Sequence, residues 1–99
     1  MYLVYILYSD SKDIFYKGQT VDLDDRLARH NKGLVKSTKA GVPWILVWRA
    51  WKEKRSEAME LETKLKNLNR SRTIHFMLKH SEGIVGQDEE LLLERLSRC

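Results

Sequence analysis

Cysteine is nearly absent from this chain, which has one, at position 99. One cysteine excludes an intramolecular disulfide and fits a reducing compartment. The apolar segment Met1–Tyr8 is followed at once by charged residues, and it is too short for a signal peptide and lacks the basic flank of one. No apolar run approaches the length that spans a membrane. We therefore expect a cytoplasmic protein with no membrane partner.

Several chemical signatures are also missing. The chain has no Ser/His/Asp or Cys/His nucleophile set, no glycine-rich phosphate loop and no spacing typical of zinc ligands. It has no internal repeat and no low-complexity tract. These absences narrow the function to metal-assisted hydrolysis or to binding.

Positive charge is concentrated in the middle of the chain. Residues 1–25 and residues 80–99 each carry two basic and five acidic side chains, net −3, whereas residues 26–79 carry fourteen basic and four acidic ones, net +10. A basic segment suits a polyanion such as a phosphate backbone. Lysines and arginines that merely solvate helix faces would give the same pattern.

The first third of the chain predicts a hairpin and a helix. Tyr2–Tyr8 is too apolar to be half exposed and predicts a buried strand, which the turn Ser9–Asp13 joins to a second strand, Ile14–Gly18. Asp22 is a good helix N-cap, and Gly33 is a plausible C-terminal stop for the same helix.

The chain of 99 residues has the length of one domain. The part after the first helix predicts one more strand and three more helices. The predicted segments are a polar basic loop at 34–43, a strand Trp44–Trp51, a helix from about Ser56, a helix capped by Ser71, a linker Ser81–Gln87 and an acidic helix Asp88–Arg98. The order β-β-α-β-α-α-α indicates an α+β domain with a mostly antiparallel sheet. We expect residues 1–80 to form it, and residues 81–99 to supply a linker and a short helix that packs on it.

Arg26 and His30 are four residues apart and so share one face of the first helix, at the edge of its apolar stripe. An arginine beside a histidine can hold a phosphate while a proton moves. A solvated basic surface is the alternative interpretation of the same residues.

Glu62 borders the buried stripe of the second helix, whereas Glu60 points away from it. A carboxylate at the margin of a core is a candidate ligand for a hard divalent cation. The alternative is an ordinary ion pair with Lys66 on the next turn. Tyr5 and Tyr16 lie centrally on the two predicted strands, where a phenol can hydrogen-bond a water, although most strand tyrosines only pack.

The order of these elements resembles a known family. The matching segments are Leu3-Val4-Tyr5, Tyr16-Lys17-Gly18 with Gln19-Thr20, the helix Asp25–Asn31, Lys36–Lys39 with Pro43-Trp44, and the helix of Glu57-Ala58, Glu62 and Lys66. Over about residues 2–80 the chain resembles the GIY-YIG nuclease superfamily, and within it the small stand-alone bacterial members that are similar to URI domains. Three positions depart from the pattern: Leu3 replaces a glycine, Lys17 an apolar residue, and Gln19 the lysine of some members.

The resemblance implies a fold and an activity. The fold is a three-stranded antiparallel sheet flanked by helices, and the activity is that of a metal-dependent endonuclease hydrolysing DNA phosphodiesters, structure-selective and linked to repair or recombination. Glu62 would hold Mg²⁺ or Mn²⁺, Tyr5 or Tyr16 would orient or deprotonate the water with His30 as proton acceptor, and Arg26 would neutralise phosphoryl charge.

Four cations are expected to bind flanking phosphates: Arg29, Lys36, Lys39 and Lys66. No additional DNA-binding domain is evident, so a protein partner would supply target choice. Two other classes of function remain open. One is a nucleic-acid-binding or accessory module that cuts little, and the other is a structural partner protein with Trp44–Trp51 as its interface.

Overall fold

The computed structural model describes residues 1–98, which form a three-stranded sheet and helices on both of its faces. In chain order the elements are β1 (Tyr2–Ser9), β2 (Ile14–Thr20), α1 (Leu23–Asn31), a 3₁₀ helix (Lys36–Gly41), β3 (Trp44–Lys52), α2 (Arg55–Lys66), α3 (Arg70–Lys79), a second 3₁₀ helix (Ser81–Gly83) and α4 (Gln87–Ser97).

The sheet has the order β2-β1-β3, and both pairings are antiparallel. The expected α+β fold with an antiparallel sheet is confirmed. From Leu3 onward β1 is buried, because this strand lies in the centre and has helices on both sides. Its residue Tyr5 lies opposite Gly18 of β2 and Arg49 of β3.

Alternate residues of β1 enter two different cores. Val4, Ile6 and Tyr8 pack with the buried side chains of α2, α3 and α4. Tyr5 and Leu7 point to the other face, where the cluster includes Trp44 and the two leucines of α1, Leu23 and Leu27. The two faces follow from the two-residue period of a strand, and they place α1 opposite the other three helices.

The C-terminal residues are part of the larger core. Leu93 and Leu96 of α4 are buried there, and α4 packs against α3. The segment before α4 is held to β3 because Trp48 Nε1 donates to the carbonyl of His80 at 2.9 Å and Trp48 forms a bridge with Ile84. Within residues 1–98 no helix has both the length and the apolar character needed to cross a bilayer.

One predicted helix start needed correction. The third helix is capped by Asn69, not Ser71, because the Asn69 side chain accepts from the Arg72 amide at 2.8 Å. The second helix begins at Arg55, next to the predicted start at about Ser56, and the Lys54 amide donates to the Glu57 carboxylate at 3.2 Å. The predicted loop at 34–43 was wrong in part, since it contains the 3₁₀ helix Lys36–Gly41.

Candidate active site

Helix α1 begins and ends where its sequence predicts. The Asp22 carboxylate accepts from the Asp25 amide at 3.1 Å. At the other end Gly33 adopts the left-handed conformation with φ of 72°, which glycine adopts without strain. The amide of Gly33 then donates to the His30 carbonyl at 3.1 Å and that of Leu34 to the Arg29 carbonyl at 3.0 Å. These caps fix which side chains of α1 face the sheet.

The side chain of His30 faces the sheet and is fully buried, with a partner at each ring nitrogen. Its Nε2 lies 3.0 Å from the Tyr5 hydroxyl, and its Nδ1 lies 2.7 Å from Thr38 Oγ1. The Thr38 hydroxyl itself donates to the Val35 carbonyl at 3.3 Å. Thr38 therefore accepts from Nδ1–H, which leaves Nε2 to accept from the Tyr5 phenol.

The electrostatics agree with that direction of hydrogen bonding. Burial, together with the nearby Arg26 guanidinium, lowers the pKa of His30, so the ring is neutral at pH 7. Burial raises the pKa of Tyr5 to about 12, so the phenol keeps its proton. A neutral imidazole and a protonated phenol form the pair in which Tyr5 donates and His30 accepts.

Arg26 and Tyr16 complete the inner part of the site. The Arg26 guanidinium lies near the Tyr5 phenol and lowers its pKa, against the larger effect of burial. The Tyr16 ring lies 6.3 Å from the Tyr5 ring and 5.0 Å from that of His30, measured between centroids. It is half-buried, and its other neighbour is Trp44 at 6.2 Å. The structure thus brings Tyr5, Tyr16, Arg26 and His30 together.

Gly18 makes room for this arrangement. A Cβ at this position would lie 2.6 Å from Tyr5 Oη and 2.8 Å from Tyr5 Cζ, closer than such atoms approach. The absence of a side chain on β2 lets the phenol of Tyr5 lie across the edge strand. The hydroxyl therefore reaches the edge of the sheet, although Tyr5 belongs to the central strand.

Glu62 approaches the same phenol from α2, a helix of the opposite layer that also packs along β1 and β2. Its negative charge raises the pKa of Tyr5 slightly, and no hydrogen bond joins the two side chains. The Glu62 side chain is 19% exposed and lies 3.8 Å from Lys66 Nζ. Both sequence interpretations of Glu62 are compatible with this position, since it is at the rim of the site and also in an ion pair.

The donor set fits one kind of metal site. Among residues 1–98 no three His, Cys, Asp or Glu side chains cluster in a way that would hold an ion. Glu62 offers a single, half-buried carboxylate whose charge is felt at the Tyr5 phenol. That matches Mg²⁺, which commonly uses one or two carboxylates and completes its shell with water and phosphate oxygens.

The cations expected to bind phosphate lie near these groups on the surface. Arg29 on α1 and Lys36 and Lys39 on the first 3₁₀ helix are exposed and flank the segment that carries His30 and Thr38. Lys66 is exposed beside Glu62. Their contacts with a nucleic acid stay predictions.

The sequence interpretation missed two residues that build the site. Thr38 is buried in a segment assigned to a polar loop, and the indole of Trp44 donates to its carbonyl at 2.8 Å. Asn31 joins α1 to β3, because its side chain accepts from the Trp44 amide at 2.6 Å and donates to the Trp44 carbonyl at 3.1 Å. The one available signal was the position of Thr38 and Trp44 within segments that matched the family.

Comparisons with known proteins show the family to which the chain belongs. Residues 1–75 match the model of the GIY-YIG catalytic domain. The fold is similar to the solution NMR structure of a UPF0213 protein from Bacillus halodurans, with 32% sequence identity, a TM-score of 0.50, and coverage of 84% of this chain and 87% of that one. No curated protein sequence gives a significant match. The match to the catalytic domain spans all five residues Tyr5, Tyr16, Arg26, His30 and Glu62, and we conclude that this chain belongs to the GIY-YIG nuclease family.

Proposed function

We propose that this protein is a divalent-metal-dependent endonuclease that hydrolyses phosphodiester bonds in DNA. The observation that carries the proposal is the buried chain of hydrogen bonds from Tyr5 through His30 to Thr38, with the positive charge of Arg26 nearby. Hydrolysis of a phosphodiester needs a proton acceptor for the attacking water and a cation for the phosphoryl oxygens. The chain of hydrogen bonds offers the first and Arg26 the second.

The proton would leave the water by way of Tyr5. In this proposal the phenol oxygen accepts a proton from the water while its own proton passes to His30 Nε2, 3.0 Å away. The hydroxide equivalent attacks phosphorus, the bond from phosphorus to the leaving oxygen breaks, and that oxygen takes a proton from solvent. His30 is left as an imidazolium, which later returns its proton through Tyr5 to solvent. Thr38 Oγ1 holds the Nδ1–H of that imidazolium at 2.7 Å. Tyr5 thereby acts without a free phenolate, which its pKa of about 12 would make rare at neutral pH.

Arg26 and Tyr16 would contact the phosphate and the water. A guanidinium has five N–H donors, so Arg26 can bind Tyr5 and still point others at phosphoryl oxygens. Tyr16 is half-buried beside both Tyr5 and His30, where its hydroxyl can hydrogen-bond the water and orient it. Glu62 would hold Mg²⁺ or Mn²⁺, which when bound stabilises negative charge on the scissile phosphate and on the leaving oxygen.

The exposed cations would position the strand. Arg29, Lys36, Lys39 and Lys66 lie on the surface around these groups, where contacts to phosphates fix register without reading sequence. We therefore expect the shape of the substrate, more than its sequence, to decide which bonds are cut. Flap and branched duplexes are the shapes that occur in repair and recombination.

A cleavage assay over single-stranded, duplex, flap and branched DNA tests the proposal. We expect products with Mg²⁺ or Mn²⁺ and none with chelator, and we expect Tyr5→Phe to slow cleavage because it removes the hydrogen bond to His30. Wild-type protein that binds these DNAs but cuts none of them in either metal would refute the nuclease proposal in favour of a binding module.

A further inference from the structure

A second positively charged surface lies on α3, away from α1. Arg72, His75 and Lys79 are spaced by three and four residues and share one exposed stripe of this helix. Phe76 lies beside this stripe and is half-buried. Such a stripe alone would be compatible with simple solvation of the helix.

Helix α2 turns that stripe into a groove. Between α2 and α3 there is a depression of about 300 Å³, to which α2 contributes Lys64. Lys64 Nζ lies 5.6 Å from the centre of the Phe76 ring, close enough for a cation–π contact. Trp48 and His80 hold the same ring at 5.4 Å and 4.5 Å between centroids. The floor of the groove is therefore built by packing and does not depend on a ligand to form.

The groove is lined by cations without counterions. Within residues 1–98, Lys64, Arg72 and Lys79 make no salt bridge. Glu82 approaches the far end of the groove, 3.8 Å from the ring of His80. Positive side chains that converge from two helices on one groove repel each other, and an anion bound between them relieves that repulsion.

One end of the groove lies beside β2, the edge strand that borders the candidate active site on the other face of the sheet. Leu68 lines the groove, and its carbonyl accepts from Lys17 Nζ at 3.3 Å. Lys17 precedes Gly18, the residue over which the Tyr5 phenol lies. DNA that extends from the phenol around the edge of the sheet at β2 can therefore reach this end of the groove.

We propose that this groove binds the phosphate backbone of the DNA segment that flanks the bond to be cut. The identity of that segment rests on the proposed nuclease function, whereas the binding itself does not. Contacts of this kind add affinity without sequence preference. They also make affinity depend on length, because a short oligonucleotide that fills the active site does not reach the groove.

Binding measured in chelator, where no cleavage takes place, tests the groove. The probe is a fluorescein-labelled duplex of about 20 base pairs, which at about 3.4 Å per pair exceeds the 34 Å longest dimension of the protein. The double variant Arg72→Gln, Lys79→Gln should bind about tenfold or more weakly at moderate salt, and its slope of log K against log salt should be shallower by roughly 1.8 for two lost phosphate contacts.

The matched control is Lys12→Gln, Arg98→Gln. Each double variant lowers the formal net charge by two, from +4 to +2, so a general loss of positive charge would weaken both equally. The two control positions are exposed and lie in the hairpin turn and after α4. Equal binding by the groove variant and wild type, or an equal loss in both double variants, would overturn the groove proposal.

A measurement on wild-type protein guards against misfolded variants. In ¹H–¹⁵N spectra titrated with the duplex, the amides of Lys64, Arg72 and Lys79 should shift, and their failure to shift at saturation would also overturn the proposal. The nuclease proposal fails separately: wild type that never cuts DNA but shows these shifts leaves the groove intact as a binding surface. Wild type that cuts DNA, with a groove variant that binds normally, leaves the nuclease proposal intact.

Discussion

The central strand β1 contributes side chains to both faces of the sheet, and the two faces differ in size and in polarity. On the side of α2, α3 and α4, β1 contributes Val4 and Ile6 to a large apolar core. On the side of α1 it contributes Tyr5, whose hydroxyl is hydrogen-bonded to a buried histidine. Stability therefore depends mainly on the first face, and the proposed proton path lies on the second. Gly18 of β2 leaves the space that the Tyr5 phenol occupies.

The largest expected effect separates chemistry from folding. Glu62→Ala should abolish cleavage while it leaves stability and most DNA binding intact, because the carboxylate is at the rim of the site. Losing the metal's stabilisation of transition-state charge should cost roughly a thousandfold or more in rate. Single-turnover cleavage in Mg²⁺ measures this.

Glu60→Ala is the matched control, since Glu60 is exposed on the same helix two residues away. It should cut at the wild-type rate, and wild type in chelator should behave like Glu62→Ala. A Glu62→Ala protein that cuts as fast as wild type would show that this carboxylate is not needed.

A substitution in the larger core should have the opposite effect, lowering stability and leaving the cleavage rate unchanged. Met77 is fully buried in the larger core, and Met77→Ala should lower the free energy of unfolding by about 2–5 kcal/mol through lost burial and a cavity. Urea denaturation measures the loss. At a temperature where the variant remains folded, its cleavage rate per folded molecule should stay close to that of wild type. A large loss of rate in that fraction would show that the two faces are coupled.

Thr38→Val tests the proton path with little change of shape. It removes the acceptor of His30 Nδ1–H and leaves a buried N–H without a partner, which should cost about 1–3 kcal/mol of stability. The tautomer that accepts from Tyr5 is then no longer enforced, so we expect cleavage to slow by roughly tenfold or more and its pH profile to shift. Thr63→Val, at an exposed position on α2, is the control. An unchanged pH profile in Thr38→Val would argue against the path.

The smallest expected effect is a dependence of stability on pH that originates in His30, on the α1 side of the sheet. Burial holds the pKa of His30 below 6.5 in the folded chain, so the unfolded chain binds more protons in the range below that value. This contribution to stability is complete above pH 6.5 and is lost as the pH falls through the folded pKa. Urea midpoints at about pH 7.5 and about pH 5.5 should differ more for wild type than for His30→Gln. His75→Gln, in an exposed histidine of α3, should keep the wild-type difference.

Local chemistry made part of this molecule predictable. The continuous apolar run of β1 indicated a strand buried on both faces, and Asp22 and Gly33 marked the ends of α1, as observed. A helix cap and a strand pattern are set by neighbours within a few residues, so one sequence is enough to recognise them. The spacing of Arg26 and His30 likewise placed both on one face of α1 before any fold was known.

The remainder depends on contacts between distant parts of the chain. Nothing near Thr38 indicates that its hydroxyl faces His30, because the 3₁₀ helix that carries it is held by Trp44 of β3. Asn69 and Ser71 are both acceptable helix caps, and the choice between them reflects where α3 docks on the core. The groove between α2 and α3 could likewise not be predicted from the sequence, since it depends on how the two helices pack.

Pairing along the whole of β1 also has a consequence for dynamics. Because β1 is hydrogen-bonded on both sides, we expect its amides to exchange with deuterium mainly through unfolding of the entire domain. The Tyr5 phenol is attached to that slowest-exchanging strand. Lys36 and Lys39 lie on a short 3₁₀ helix, which should open far more often. If the proposed function holds, Lys36 and Lys39 could move with a bound strand through fluctuations of the native state, while the Tyr5 phenol keeps its position in the sheet.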